Sequence, residues 1–277
     1  MMAIKLVTAE QRLSVAGSKT SMAIFGPWGV GKTSLLKTLP ASETVCIDLE
    51  AGLKSVEREW QESSLEIDAF GDFQDIVALI GGPDLKADPS KWYSRQHFDY
   101  ATSIYAGTRI GELLRTRRNI FIDSITDLTR VALTFAKRQP EAFSEKSGKP
   151  DTRGAYGLLA QEIIRALKHL QRAHGKTIIF VGILDLITDD FGRQTWQPQM
   201  EGSRAGRELP GIVDQVISMQ LFSRDANGAC VLDEKAEERR LVCRRENPWA
   251  LPAKDRSGRL DTTEPPDLGA LLRKINA

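Results

Sequence analysis

The chain is 277 residues long and carries 38 lysines and arginines against 37 aspartates and glutamates, a net charge of +1. This balance excludes a globally basic nucleic-acid-binding protein, so any surface for DNA must be local. A hydrophobic content of 41% indicates a soluble protein with a real core, and no apolar run approaches the ~20 residues of a membrane span, so we expect a cytoplasmic protein without a membrane partner.

The first predicted element is a short buried strand, Met22–Phe25, followed by a glycine-rich turn and a helix that begins near Lys32. The turn, GPWGVGKT from Gly26 to Thr33, matches the pattern G-x-x-x-x-G-K-[ST] in full. Such a loop points successive backbone N–H groups at a polyphosphate, with Lys32 on the β- and γ-phosphates and the Thr33 hydroxyl on Mg²⁺. The alternative, a flexible turn without a ligand, is disfavoured by the flanking strand and helix. The residues predicted to bind ATP are Gly26, Pro27, Trp28, Gly29, Val30, Gly31, Lys32, Thr33 and Ser34.

The next strand is predicted over Thr44–Glu50, an apolar, β-branched run of the kind that forms buried parallel strands. Residues 52–60 are charged and are predicted to be helical, and a further helix is predicted around Phe73–Ile80. The polar segment 84–100 is predicted to be an irregular insertion. Its aromatic side chains could stack on bases, but we favour their packing onto the body of the protein.

A buried strand that ends in a carboxylate is predicted within NIFIDSITDL, residues 119–128. The carboxylate is Asp123, at the edge of the sheet where the carboxyl ends of parallel strands meet. In a protein with a phosphate loop this is the Walker B position, which holds Mg²⁺ through the water shell of the ion. The loop and the carboxylate together predict a site for ATP and Mg²⁺.

The polar segment 137–155 contains prolines, glycines and several cations and is predicted to be an exposed mobile loop. A solvated connector and a loop that contacts DNA phosphates fit this composition equally well. An amphipathic helix is predicted next, with apolar residues at helical spacing from Leu159 to Leu170.

The last part of the chain is predicted to contain strands, tight turns and a terminal helix. A buried strand, Lys176–Leu184, precedes a turn at residues 190–193 and a glycine- and arginine-rich loop, residues 201–211. No internal repeat or low-complexity linker is present, so we predict one domain, residues 1–277, with a core at about 18–222 and a hairpin, a basic loop and a helix at about 223–277. The further predicted elements are strands at Val213–Leu221, Ala229–Leu232 and Arg239–Arg245, a hairpin turn at Asn227-Gly228, and a helix from about Asp267.

The order of these motifs resembles the RecA-like branch of P-loop ATPases, in particular the phage-encoded RecA-like ATPases associated with single-strand annealing. The resemblance covers roughly residues 18 to 274, although its motifs are short. It implies an α/β fold with a mostly parallel central sheet flanked by helices, and a C-terminal antiparallel hairpin region. It also implies that segment 137–155 and the residues after Leu184 correspond to the two DNA-binding loops.

The resemblance also assigns roles to single residues. Glu50, in Asp48-Leu49-Glu50, matches the family's catalytic base, which agrees with the need for one carboxylate near the attacking water. Ser124 is implied as a neighbour of the γ-phosphate or the metal. RecA-like proteins usually place a Gln or His sensor near the end of the strand that matches Lys176–Leu184, and here the sequence has no such residue, with Asp185 a weak substitute.

A basic pair near the C-terminus, Lys254 and Arg256 followed by Gly258, resembles the Lys-x-Arg fingers of hexameric RecA-like ATPases. Such fingers reach into the nucleotide site of the neighbouring subunit and stabilise charge on the γ-phosphate. The alternatives are a solvated basic turn and, as competing fingers, Arg204 and Arg207.

These observations predict an ATP- and Mg²⁺-dependent ATPase that assembles into a homo-oligomeric ring or filament and acts on single-stranded DNA in recombination or annealing, with a single-strand-binding protein as a further partner. One alternative is a nucleotide-gated DNA-binding or loader module with little turnover. A helicase-like motor and a small-molecule kinase are less favoured. The residues predicted to contact DNA are Lys146, Lys149, Arg153, Arg193, Arg204 and Arg207.

Overall fold

The structure is a computed structural model that describes residues 8, 10, 19–144 and 147–277. Its described part contains eleven strands in the order β11-β9-β7-β1-β5-β4-β2-β3, with β10 and β8 paired to β7 and β6 paired to β5. The strands are β1 (Thr20–Gly26), β2 (Thr44–Asp48), β3 (Ser64–Glu66), β4 (Asn119–Asp123), β5 (Thr177–Thr188), β6 (Gln194–Pro198), β7 (Gln215–Arg224), β8 (Cys230–Leu232), β9 (Glu238–Val242), β10 (Lys254–Asp255) and β11 (Thr263–Glu264).

Seven α-helices and several 3₁₀ turns connect the strands within this described part. The α-helices are α1 (Phe70–Gly81), α2 (Arg95–Tyr105), α3 (Arg109–Thr116), α4 (Ile125–Ala136), α5 (Thr152–Gln171), α6 (Ser203–Ile212) and α7 (Leu268–Asn276). The 3₁₀ helices are Thr33–Thr38, Ala41–Glu43, Leu53–Ser55 and Pro140–Ala142.

The centre of the sheet is parallel. β1 pairs with β5 and β7, and β4 pairs with β5 and β2, all in parallel register. Every residue of β1, β2 and β4 is buried, as expected for strands that are covered on both faces. The strands after β7 are antiparallel, with β9 on β7 and β11 on β9. The predicted α/β class, with a mostly parallel core and an antiparallel C-terminal region, is confirmed.

Two hydrophobic clusters lie on opposite faces of the sheet. The larger cluster joins one face to helices α1, α4, α5 and α6 through buried side chains such as Phe73, Leu128, Ile163 and Leu209. The smaller cluster joins the other face to the 3₁₀ helix Thr33–Thr38 and to α7. This layered arrangement fixes the carboxyl ends of β1, β2 and β4 at one edge, where the phosphate loop and two carboxylates follow.

Two predicted helices on the way from β1 to β3 are shorter than expected. The helix after the phosphate loop is a six-residue 3₁₀ helix, Thr33–Thr38. Residues 52–60 contain only the single turn Leu53–Ser55, so the helical prediction there was wrong. Val56 and Trp60 are the buried residues of that segment.

The insertion 84–100 is more regular than predicted. α2 begins inside it at Arg95, and the Ser94 side chain caps the helix by accepting from the N–H of His97. Tyr93 is 2% exposed and stacks on His169 with ring centroids 4.3 Å apart, which bears out the expected packing of this aromatic onto the body. The sequence did not predict this helix because its composition is polar and only His97 and Ala101 of α2 are buried.

Segment 137–155 is not one loop. It contains the 3₁₀ turn Pro140–Ala142 and a bridge between Phe143 and Pro150, and α5 begins at Thr152 with Asp151 as its N-cap. Arg153 therefore lies in the first turn of a helix rather than in a mobile loop. The helix begins early because the Asp151 carboxylate accepts from the Arg153 N–H at 2.9 Å.

The glycine- and arginine-rich segment 201–211 is also helical, against the loop prediction. Its helix, α6, buries Ala205, Leu209 and Ile212, a spacing that places all three on one face. Gly206, Gly211 and Pro210 gave the segment the composition of a loop, and burial of the apolar face overrides their poor helix propensity. β5 likewise continues beyond Leu184 and forms a hairpin with β6, with its turn at residues 189–193, where a turn was expected.

Candidate nucleotide site

The phosphate loop leaves the carboxyl end of β1 between two neighbouring strands. A Cβ atom on Gly26 would lie 2.5 Å from the carbonyl oxygen of Met219 in β7 and 2.9 Å from Val30, so only glycine allows this approach. Further along the loop, Gly31 has a φ of +100°, which L side chains rarely adopt. The glycines of the motif are therefore required by the geometry of the loop itself.

Lys32 folds back over this loop. Its ammonium group donates to the carbonyl oxygens of Gly26 and Pro27, at 2.9 and 2.8 Å. Burial lowers the pKa of Lys32, and the charges of Asp123 and Glu50 oppose this shift. The lysine predicted to bind phosphate thus already lies against the loop.

Thr33 and Asp123 meet at the start of the 3₁₀ helix and the end of β4. The Thr33 hydroxyl donates to Asp123 Oδ2 at 2.7 Å. Burial raises the pKa of Asp123, whereas the hydrogen bond from Thr33 lowers it. Hydroxyl and carboxylate oxygens are ligands that Mg²⁺ prefers, so the two residues present fit this ion. Among the described residues no group of three or more His, Cys, Asp or Glu side chains could hold a metal, so the ion would draw its other ligands from water and nucleotide.

Asp48 supports the site from the adjacent strand. It pairs in register with Asp123 across β2 and β4. Its Oδ1 accepts from the backbone N–H groups of Glu50 and Gly52, at 3.1 and 3.3 Å. Asp48 therefore fixes the turn that carries Glu50, the predicted base.

Glu50 shares a hydrogen bond with the carboxyl group of Asp127. Partial burial and this hydrogen bond raise the pKa of Glu50 to about 7, while Ser124 opposes the shift. Burial also disfavours the ionised form of Asp127, but hydrogen bonds from Glu50, Arg130 and Ser124 lower its pKa. Glu50 is therefore the more easily protonated member of the pair.

Asp127 is a site residue that the sequence analysis missed. It lies three residues after Ser124, the N-cap of α4, whose hydroxyl donates to Asp127 Oδ2 at 2.9 Å. Arg130 forms an ion pair with Asp127, with Nη1 and Oδ1 2.7 Å apart. An acidic residue three positions after a capping Ser is a helix-start signal, and that signal alone could have singled out Asp127. Ser124 itself is buried and follows a cis peptide bond from Asp123.

Gly182, in the part of β5 where a sensor is expected, leaves no room for a side chain. A Cβ atom on Gly182 would lie 2.8 Å from Ile125 and 2.9 Å from the ring of Phe25, so a side chain does not fit there. The next residue, Ile183, pairs with Gly26, and its N–H donates to Thr126 Oγ1 at 3.0 Å. At this position β5 therefore contacts the apolar side chains of Ile125 and Phe25 and the hydroxyl group of Thr126.

The two predicted fingers lie away from the phosphate loop of their own chain. β10 pairs Lys254 with Val216, near the amino end of β7, whereas the loop lies at the opposite edge of the parallel strands. Lys254 donates to the carbonyl oxygens of Pro210 and Val213, and Arg256 forms an ion pair with Asp214 at 2.8 Å. Within one chain these cations hold the turn before β7.

The residues predicted to contact DNA are spread over several elements. Lys149 is exposed in the turn before α5, and Arg193 is exposed in the β5–β6 turn, next to Asp189 and Asp190. Arg204 forms an ion pair with Glu208 at 3.0 Å, and Arg207 donates to the Ser203 carbonyl. Lys146 lies outside the described residues. Arg204 and Arg207 stand on helix α6, so the prediction that they lie in a loop was wrong.

None of the described helices combines the length and the apolar character that a membrane crossing requires. Comparison with known proteins gives one family match, in which the AAA domain model matches residues 18–257. The search of curated proteins found no match. Among solved structures the chain is similar to a prototypical ATPase from the type III secretion system of pathogenic bacteria, at 17% identity over 74% of this chain, with a TM-score of 0.36. The chain spans about half, 54%, of the length of that ATPase.

Proposed function

Because the chain belongs to the AAA domain family of P-loop ATPases, we propose that it binds and hydrolyses ATP at this site and acts on single-stranded DNA as a homo-oligomer in the cytoplasm. The observation that carries the catalytic part is the hydrogen bond between Thr33 and Asp123, which joins the phosphate loop to the end of β4. The DNA and annealing role rests on the resemblance in motif order to RecA-like ATPases.

Each residue of the site has a chemical task in this proposal. Backbone N–H groups of residues 26–33 and the Lys32 ammonium bind the phosphates. Thr33 and Asp123 hold Mg²⁺, which when bound neutralises phosphate charge. Glu50 orients the attacking water and accepts its proton, and Asp48 holds Glu50 in position through the backbone.

The decisive experiment compares nucleotide binding and ATP hydrolysis in the wild type, Lys32→Ala and Glu50→Gln. We expect Lys32→Ala to lose binding and Glu50→Gln to retain binding while losing most turnover. Hydrolysis should rise on addition of single-stranded DNA. Binding of ATP by the wild type with no hydrolysis under any DNA condition would contradict the enzymatic proposal.

A second candidate is a nucleotide-gated DNA-binding module with little turnover. It is favoured by the sequence at the end of the Lys176–Leu184 strand, which has no Gln or His where RecA-like ATPases place their γ-phosphate sensor. Single-stranded DNA binding measured with ATP and with ADP separates the two. Equal ATP-driven binding by the wild type and by Glu50→Gln, with negligible hydrolysis in both, would favour gating.

A further inference from the structure

Arg239 lies directly over the phosphate loop. It stands in β9 opposite Leu221 of β7, on the same face as the buried Leu241 two residues later. A Cβ atom on Gly31 would lie 3.5 Å from both Nε and Cζ of Arg239 and 3.7 Å from its Cδ. The start of the guanidinium group therefore contacts the loop one residue before Lys32.

The guanidinium group of Arg239 is exposed, and among the described residues it has no hydrogen bond or ion pair. The acidic residue beside it, Glu238, is already shared by two other arginines, Arg224 at 3.2 Å and Arg240 at 2.5 Å. Arg239 thus presents its planar set of N–H donors at the loop without an anionic partner in the described part of the chain.

The charge balance at the phosphate loop favours a second cation beside Lys32. Lys32 is the cation within the motif, while the acidic side chains of Asp48 and Asp123 lie at the same edge of the sheet. A nucleoside triphosphate adds several further negative charges. A guanidinium group near Gly31 would offset part of this excess, and its fork geometry matches two oxygens of a phosphate.

We propose that Arg239 is a second phosphate-binding cation, supplied by the same chain, that contacts the phosphate chain of a nucleotide bound at Gly31. The inference rests on the proposed nucleotide site and adds a residue from the antiparallel part of the sheet. It concerns phosphate and not the base, because Arg239 lies over the motif glycine whose neighbours present their N–H groups to phosphate. It also differs from the finger hypothesis for Lys254 and Arg256, which needs a second subunit.

Calorimetric titrations with Mg²⁺ and either ATP or inorganic tripolyphosphate test this assignment. Arg239→Ala should weaken both ligands by a similar factor, roughly tenfold or more, as expected for removal of a charged hydrogen bond. Arg239→Lys should recover only part of this affinity. The matched control, Arg240→Ala, lies next to it in β9 and should stay within about twofold of the wild type. Because the contact is within one chain, the factor should not change when the protein is diluted tenfold.

Three results would overturn the inference. Wild-type affinity of Arg239→Ala for both ligands would show that Arg239 does not bind the phosphates. A weaker affinity for ATP but not for tripolyphosphate would assign Arg239 to the base, and an effect that disappears on dilution would assign it to an assembly contact. Thermal unfolding of each variant identifies any change caused by misfolding. If the wild type binds neither ligand, the proposed nucleotide site itself is wrong.

Discussion

Thr33 and Asp123 form a 2.7 Å hydrogen bond although they are 90 residues apart in the chain. Thr33 begins the 3₁₀ helix after the phosphate loop, and Asp123 is the last residue of β4, which is two strands away from β1 in the sheet. The contact therefore depends on the whole parallel core, in which β5 separates β1 from β4. The two residues proposed to hold Mg²⁺ are therefore brought together only by the formed central sheet.

This hydrogen bond predicts the behaviour of Asp123→Asn. The amide can still accept the Thr33 hydrogen bond but carries no charge to hold Mg²⁺. We expect hydrolysis to fall by about two orders of magnitude, with a higher Mg²⁺ concentration needed for half-maximal rate. The measurement is the steady-state rate against Mg²⁺ concentration. Thr134→Ala, which removes an exposed hydroxyl bonded only to the Arg130 carbonyl, is the control. An unchanged Mg²⁺ dependence would contradict the assignment of Asp123.

The Glu50–Asp127 pair predicts a pH dependence. Since the pKa of Glu50 is raised to about 7, the base form grows as pH increases. The rate of hydrolysis should fall about tenfold for each pH unit below 7 and level off above pH 8. Burial is the larger cause of the raised pKa and Asp127 the next, so Asp127→Asn should move the acidic limb part of the way to lower pH. The control is Glu112→Gln, which changes an exposed carboxyl group on helix α3. An acidic limb at the same pH in Asp127→Asn and in this control would refute the coupling.

The close packing around Gly182 predicts that a side chain added at this position lowers the stability of the fold. In Gly182→Ala the new methyl group would meet Ile125 and Phe25 at less than 3 Å. We expect the free energy of unfolding in urea to fall by about 1–3 kcal/mol. Gly157→Ala is the control, since it adds a methyl group in open space on helix α5 and should stabilise by about 0.5–1 kcal/mol. Equal stabilities of the two variants would show that the strand can relax around the methyl group.

The finger hypothesis for Arg256 predicts a dependence on assembly. If Arg256 acts in the neighbouring site, the specific activity of the wild type should rise with protein concentration, and Arg256→Ala should remove most of this rise. The ion pair with Asp214 is half exposed, so its removal should cost only about 0–1 kcal/mol of stability. Asp214→Asn is therefore the control for structure alone, since it removes the ion pair but keeps a side-chain oxygen that can accept from the Ser21 N–H and hydroxyl. Activity that is first-order in protein and indifferent to Arg256→Ala would exclude the finger role.

DNA binding by the segment that runs from Lys149 into the first turn of α5 predicts a change in salt dependence. Lys149→Ala combined with Arg153→Ala should weaken single-stranded DNA binding and reduce the slope of log affinity against log salt by about 0.7 for each DNA phosphate that is no longer neutralised. Lys235→Ala, in the turn between β8 and β9, is a cation control elsewhere on the surface. An unchanged slope in the double variant would remove this segment from the DNA-binding surface.

The sequence predicts this protein best where chemistry and structure are local. The phosphate loop and the strand ending in Asp123 depend on residues that adjoin in the chain, and both were placed correctly. Helix α6 was not, because Gly206 and Pro210 outweigh its apolar stripe in a composition-based interpretation although burial decides the fold.

The sequence does not predict site residues whose role depends on contacts with residues far away in the chain. Asp127 gains its role from Glu50, in the turn after β2, and Arg239 reaches the loop only because β9 folds back against β7. Neither belongs to the motif. A periodic pattern indicates which face of an element is buried, but it does not specify which side chains of separate elements meet at an edge.

The position of Lys32 has a consequence for how strongly nucleotide can bind. Its ammonium group already has two partners, the carbonyl oxygens of Gly26 and Pro27. When a phosphate binds, the Lys32 ammonium group exchanges its hydrogen bonds to these two neutral carbonyl oxygens for hydrogen bonds to the anionic phosphate. The measured nucleotide affinity therefore reflects the difference in free energy between the two sets of interactions. In return, the long side chain is ordered before the ligand arrives, so little of its rotamer entropy remains to be lost on binding.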